Sequence, residues 1–152
     1  MGGLVNRYVC EHVPNKKTLM KKGILCVVDF SESSKEALRW AIQLAQELNS
    51  HLTVLYTYRF LPPYEGEALD MKRKIEDEAS KKFADLEKEM LLNRGISYTV
   101  KTEVGFIADR AKEHAKKNTA DLLVVGNKMS SVYKQSIDEL VAHIHMPVVI
   151  VP

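Results

Sequence analysis

At 152 residues the chain has the length of one domain that buries a core of its own without staples. Hydrophobic residues make up 45% and charged residues 28%, the balance of an ordinary globular protein. The 22 basic and 20 acidic side chains are interspersed and leave a net charge of +2, which argues against nucleic acid or an anionic membrane surface as a partner.

Residues 1–22 form an N-terminal extension, set apart by weak periodicity, Pro14 and the basic cluster Lys16, Lys17, Lys21 and Lys22. They read either as a loosely held terminus or as an arm that docks through Leu4, Val5, Tyr8 and Val9. No apolar run approaches the ~20 residues of a membrane span, and the pattern of a signal peptide is missing from the start.

The regular part is residues 23–152. Ile24 to Val28 is a continuous apolar run, as in a central strand covered on both faces. It ends in Asp29-Phe30-Ser31, after which Ser33 and Glu36 have the spacing of a capping box. Ala37, Leu38, Ala41, Ile42, Ala45 and Leu48 then share one helical face. Leu52 to Tyr58, β-branched and aromatic, is the second strand. A loop over residues 59–67 holds Pro62, Pro63 and Gly66. A long charged helix follows, with Ile75, Ala79, Phe83, Leu86 and Met90 as its buried stripe and Asn93-Arg94-Gly95 as its stop.

Ile96 to Val104 alternates apolar and polar residues, as a half-exposed edge strand does. Gly105 turns into a helix carrying Ile107, Ala108, Ala111 and Ala115. Asp121 opens a fourth strand that breaks at Gly126. Residues 127–131 are polar, Ile137, Leu140, Val141 and Ile144 mark a last helix, and Pro147 opens the final strand Val148-Val149-Ile150-Val151. Strands alternating with helices predict βαβ units, right-handed crossovers and a parallel sheet, an α/β fold.

A strand, a glycine turn and a helix N-terminus make a phosphate site, because free backbone N–H groups point at the anion. Such a loop needs several glycines for close approach, and no glycine follows Gly126. The chain therefore has the frame of a nucleotide site and little of its phosphate cradle. Neither Gly-x-x-x-x-Gly-Lys-[Ser/Thr] nor Gly-x-Ser-x-Gly occurs, and no catalytic constellation emerges. His12, His51, His114, His143 and His145 are scattered and predict no metal site. Cys26 lies in the first apolar run and Cys10 in the extension, without the density of a disulfide scaffold, so a reducing, cytoplasmic compartment is expected.

Val28-Asp29-x-Ser31, Ala120 to Gly126 and Met146-Pro147-Val148-Val149-Ile150-Val151, in this order and with these gaps, resemble the universal stress protein domain. The resemblance covers residues 23–152. It implies a five-stranded parallel sheet of order 3-2-1-4-5 with helices on both faces, Rossmann-like, and a cytoplasmic homodimer paired through the last strand, here Val148, Val149, Ile150 and Val151. ATP-binding members carry Gly-x-x-Gly-x9-Gly-[Ser/Thr] after strand four. Here Gly126 matches the first glycine, Met129 stands at the second, and Gln135-Ser136 is an early echo of the close. Asp29 matches the acidic residue that meets adenine, Leu52 falls where a backbone contact to adenine is expected, and Val125 flanks the same pocket.

The candidate ligand residues are thus Asp29, Phe30, Ser31, Leu52, Val125, Gly126, Asn127, Ser130, Ser131 and Ser136. Hydrogen bonds to charged groups contribute roughly 1.5–3 kcal/mol each, so losing two weakens phosphate binding by about 3–6 kcal/mol. The sequence leads to a non-enzymatic homodimeric stress-response module that needs no cofactor and does not hold ATP tightly. The alternative is a regulatory switch that binds ATP or another adenine nucleotide weakly in the crevice at the carboxyl ends of strands one and four.

Overall fold

The computed structural model describes residues 23–59, 67–128 and 137–152. The extension 1–22 and the candidates Ser130, Ser131 and Ser136 lie outside them.

Each apolar run becomes a strand: β1 (Ile24–Val27), β2 (Leu52–Tyr58), β3 (Tyr98–Val104), β4 (Leu122–Gly126) and β5 (Val148–Val151). They form one parallel sheet of order β3-β2-β1-β4-β5, as the resemblance implied. Between them run α1 (Glu32–Leu48), α2 (Ala68–Leu86), α3 (Ile107–Lys116) and α4 (Ile137–His143). Successive strand residues face opposite ways, which splits the core into two layers. Ile24, Cys26 and Val28 pack with α1 and α2, through Ala37, Leu38, Ala41, Phe83 and Leu86. Leu25 and Val27 pack with α3 and α4, through Ile107, Ala108, Ala111, Leu140 and Ile144. Cys26 is fully enclosed, and burial pushes its thiol far above the ordinary range.

Register fixes which residues share an end of the sheet. Ile24 pairs with Leu52 and with Leu122 at the amino end, and Val27 pairs with Leu55. The order reverses between β1 and β4, where successive connections leave to opposite faces. That is where open α/β sheets form a crevice beyond their carboxyl ends.

Four local expectations are corrected. The cap of α1 is Ser31, which has extended backbone and accepts from the Ser34 N–H, so Ser33 and Glu36 form no capping box. The helix begins at Glu32 because Asp29 and Ser31 already close a turn before it. On α3 the deeply buried fourth position is His114, not Ala115, because its ring meets Thr119 Oγ1 at 3.1 Å and Glu103 Oε1 at 3.2 Å. Val141 on α4 is exposed, while Leu140 and Ile144 are buried. Finally, α2 does not run straight to its stop. It widens into a π-helical turn, Glu87–Leu91, which buries Met90 and Leu91 together. Tyr98 Oη donates to Glu87 Oε2 across 2.6 Å and ties this turn to the edge strand β3.

Candidate functional site

Leaving the sheet, β1 makes a sharp turn into α1. Asp29 Oδ1 accepts from the Ser31 N–H at 3.0 Å and from the Ser31 hydroxyl, and the Asp29 N–H donates to Ser34 Oγ at 3.2 Å. Such short side-chain-to-backbone bonds offer the chain a turn in place of a ladder. Between these anchors Phe30 adopts φ 66°, the left-handed region that an aromatic residue rarely enters. Packing holds it there. The Phe30 ring lies 5.1 Å from Tyr56 and 5.0 Å, edge-on, from Phe83, and Lys82 Nζ sits 5.6 Å from its centroid.

This turn forms one wall of a cavity of about 430 Å³ lined by Asp29, Phe30, Ser31, Lys35, Lys82, Asp85, Leu86 and Glu89. Its size is that of a small-molecule pocket. Opposite the turn stands the end of α2 with the π-helical turn, which supplies Glu89. Lys35 Nζ spans the gap, 3.2 Å from Glu89 Oε1 and 3.5 Å from Glu32 Oε2. The hydrogen bond to Glu89 raises the Lys35 ammonium above its ordinary value, against a smaller cost of burial. Burial, then the charges of Asp29 and Glu78, push the Tyr56 phenol upward.

A second junction lies at the end of β4. A Cβ on Gly126 would stand 2.7 Å from both the carbonyl oxygen and Oγ of Ser33, so glycine is required for β4 to meet the first turn of α1. The two N–H groups that follow are both engaged. Asn127 donates to the Val151 carbonyl at 2.7 Å and Lys128 donates to Ser33 Oγ at 3.0 Å.

The sequence candidates therefore separate. Asp29, Phe30 and Ser31 come together as one cavity wall, and Gly126 and Asn127 lie at the junction of β4 with α1 and β5. Val125 is buried in the opposite layer with α3 and α4. Leu52 is not brought to the crevice. It pairs with Ile24, at the far end of β1 from Asp29, and is fully buried. The β2 residue beside the turn is Tyr56. Nothing in the sequence singled out Lys35, Lys82, Asp85 and Glu89, the last three lying in what read only as a long charged helix. The spacing of Lys35 from the Asp29-x-Ser31 turn, one helical turn on, is the signal that could have marked the first of them.

Comparison with known proteins agrees with this fold. The model of the universal stress protein family matches residues 20–152. A search of curated protein sequences gave no significant match. Among solved structures, the chain is similar to a universal stress protein UspA from Lactobacillus plantarum, with 17% identity and a TM-score of 0.70, over 87% of this chain and 99% of that one. A universal stress protein in complex with cAMP is 24% identical, with a TM-score of 0.55 over 86% of this chain and 95% of that one. An Arabidopsis thaliana family protein with AMP bound is 17% identical, with a TM-score of 0.57 over 85% and 90%. At these identities the likeness shows the fold.

Proposed function

Because the chain belongs to the universal stress protein family, we propose that it is a stress-response protein that works as a homodimeric interaction module and does not hold ATP tightly. One observation carries the second half of this reading. The amides of Asn127 and Lys128, the first donors after Gly126, are spent on Val151 and Ser33. A polyphosphate at this loop must break those bonds or do without them, and an unmade charged hydrogen bond costs about 1.5–3 kcal/mol. Calorimetry with ATP and Mg²⁺ tests it. No heat is expected at micromolar concentrations, and micromolar binding would overturn the reading.

The homodimer is supported by the position of β5 at the edge of the sheet with Ile150 41% exposed, an edge that pairing with a second copy covers. Sedimentation is expected to give a dimer that Ile150→Lys dissociates. We place the protein in the cytoplasm, consistent with a free buried thiol at Cys26 and with no helix among the described residues long and apolar enough to cross a membrane. No cofactor is needed for this role.

The cavity at Asp29 favours a second reading, in which a small adenine-type ligand binds weakly there and shifts the module between two states. Relatives with AMP and cAMP bound give that reading its ligand class. It predicts thermal stabilisation by adenine ligands that Asp29→Ala removes.

A further inference from the structure

The charge of the cavity bears on which adenine ligand it takes. Three carboxylates line it, Asp29, Asp85 and Glu89, against two ammoniums, Lys35 and Lys82. One of the two cations is already balanced, since Lys35 Nζ lies between Glu89 and Glu32. The other, Lys82, stands over the Phe30 ring. Glu89 is paired with Lys35, whose Nζ donates to its carboxylate, and Tyr98 ties the same π-helical turn to β3 through Glu87. Ser31, the remaining polar side chain of the wall, directs its hydroxyl proton to Asp29. The cavity is therefore rich in acceptors and poor in uncommitted positive charge.

We infer that this cavity selects an uncharged, donor-rich ligand of the nucleoside class, and that Asp85 and Glu89 act as specificity determinants which repel nucleotide polyphosphates. The inference rests on the ligand-binding reading above. An exocyclic amine and the ribose hydroxyls of a nucleoside are hydrogen-bond donors and match carboxylate acceptors. Each phosphate added to the ligand brings negative charge towards these carboxylates, and like charges at short range disfavour one another. Specificity of this kind is a difference between two affinities set by a repulsive element.

The test is calorimetry on the full chain with adenosine, AMP and ATP in turn. Affinity is expected to fall in that order. The Asp85→Asn/Glu89→Gln double variant is expected to raise the ratio of ATP affinity to adenosine affinity by about tenfold. On the unaltered protein, raising the salt concentration should narrow the gap between ATP and adenosine through screening, which tests the idea even if the double variant fails to fold. Adenosine that binds no better than ATP, or a gap that neither neutralisation nor salt changes, would overturn the charge selection alone. Absence of binding by adenosine, AMP and ATP alike at millimolar concentration would overturn the ligand-binding reading beneath it and this inference with it.

Discussion

The two ends of the sheet are built from different materials. At the amino end backbone groups pair with one another and a histidine ring pairs with hydroxyls. The Ile24 N–H donates to His51 O at 2.8 Å, the Asp121 N–H to Gly23 O at 2.8 Å, and the Leu52 N–H to Ser97 O at 2.9 Å. The His51 ring lies between Ser97 Oγ at 2.6 Å and Thr99 Oγ1 at 2.9 Å. At the carboxyl end a left-handed phenylalanine, three carboxylates and two lysines surround a cavity. A parallel sheet sends every strand out in one direction, so the turns into helices gather at one end. The left-handed residues of the amino-end turns are Asn49, Asn93 and Asn118, which tolerate that conformation, whereas at the carboxyl end a phenylalanine is held in it beside the charged cavity.

The largest effect expected from breaking this division is at Gly23. A Cβ there would stand 2.5 Å from His51 O, and φ is +120°. Gly23→Ala should cost about 3 kcal/mol in urea unfolding, from steric overlap and backbone strain together. A loss below about 1 kcal/mol would show that the amino end yields easily. Gly126→Ala meets Ser33 at 2.7 Å with no unusual φ recorded, so about 2 kcal/mol is expected by the same measurement.

Smaller again is Ser31→Ala, which removes the cap of α1 and should cost about 1 kcal/mol. Ser33→Ala sharpens the contrast in a different way. It frees the Lys128 N–H, so stability falls slightly while phosphate affinity, read by calorimetry, rises. Unchanged ATP affinity in that variant would count against the spent-amide account of the loop.

The smallest effect is a pH dependence. The hydrogen bond to Glu87, then burial and the Glu87 charge, raise the Tyr98 phenol above its ordinary value. A raised folded value means that the contribution is whole below the unfolded value of about 10 and is lost as pH climbs through the folded one. Unfolding curves of the unaltered protein and of Tyr98→Phe should therefore differ at neutral pH and converge in the alkaline limb. A gap that stays constant from pH ~8 to ~11 would show that Glu87 exerts no such hold on the phenol.

Much of the fold was legible because burial on both faces writes itself as unbroken apolar runs. Ile24 to Val28 and Leu122 to Gly126 needed no further information to be read as central strands. The alternation of apolar Ile96, Tyr98 and Val100 with polar neighbours likewise marked β3 as an edge. Part of the cavity's lining was legible. Asp29, Phe30 and Ser31, marked by the resemblance at Val28-Asp29-x-Ser31, do stand together on one wall. Leu52 misled because only the resemblance pointed to it: as the first residue of β2 in a parallel sheet it lies at the amino end, away from the crevice. Lys82, Asp85 and Glu89 were hidden for another reason. A charged helical residue facing a cavity and one facing open water have the same sequence pattern, and the π-helical turn that aims Glu89 has no signature of its own.

The enclosed thiol of Cys26 gives the molecule a clock. A thiolate is needed for alkylation, and burial holds this one in its protonated form while β1 remains in the sheet. In a Cys10→Ser background modification at Cys26 therefore records events in which the layer of α1 and α2 over the central strand opened. The rate of labelling, followed against temperature or added ligand, reports on opening of this layer rather than on fraying at the sheet's edges.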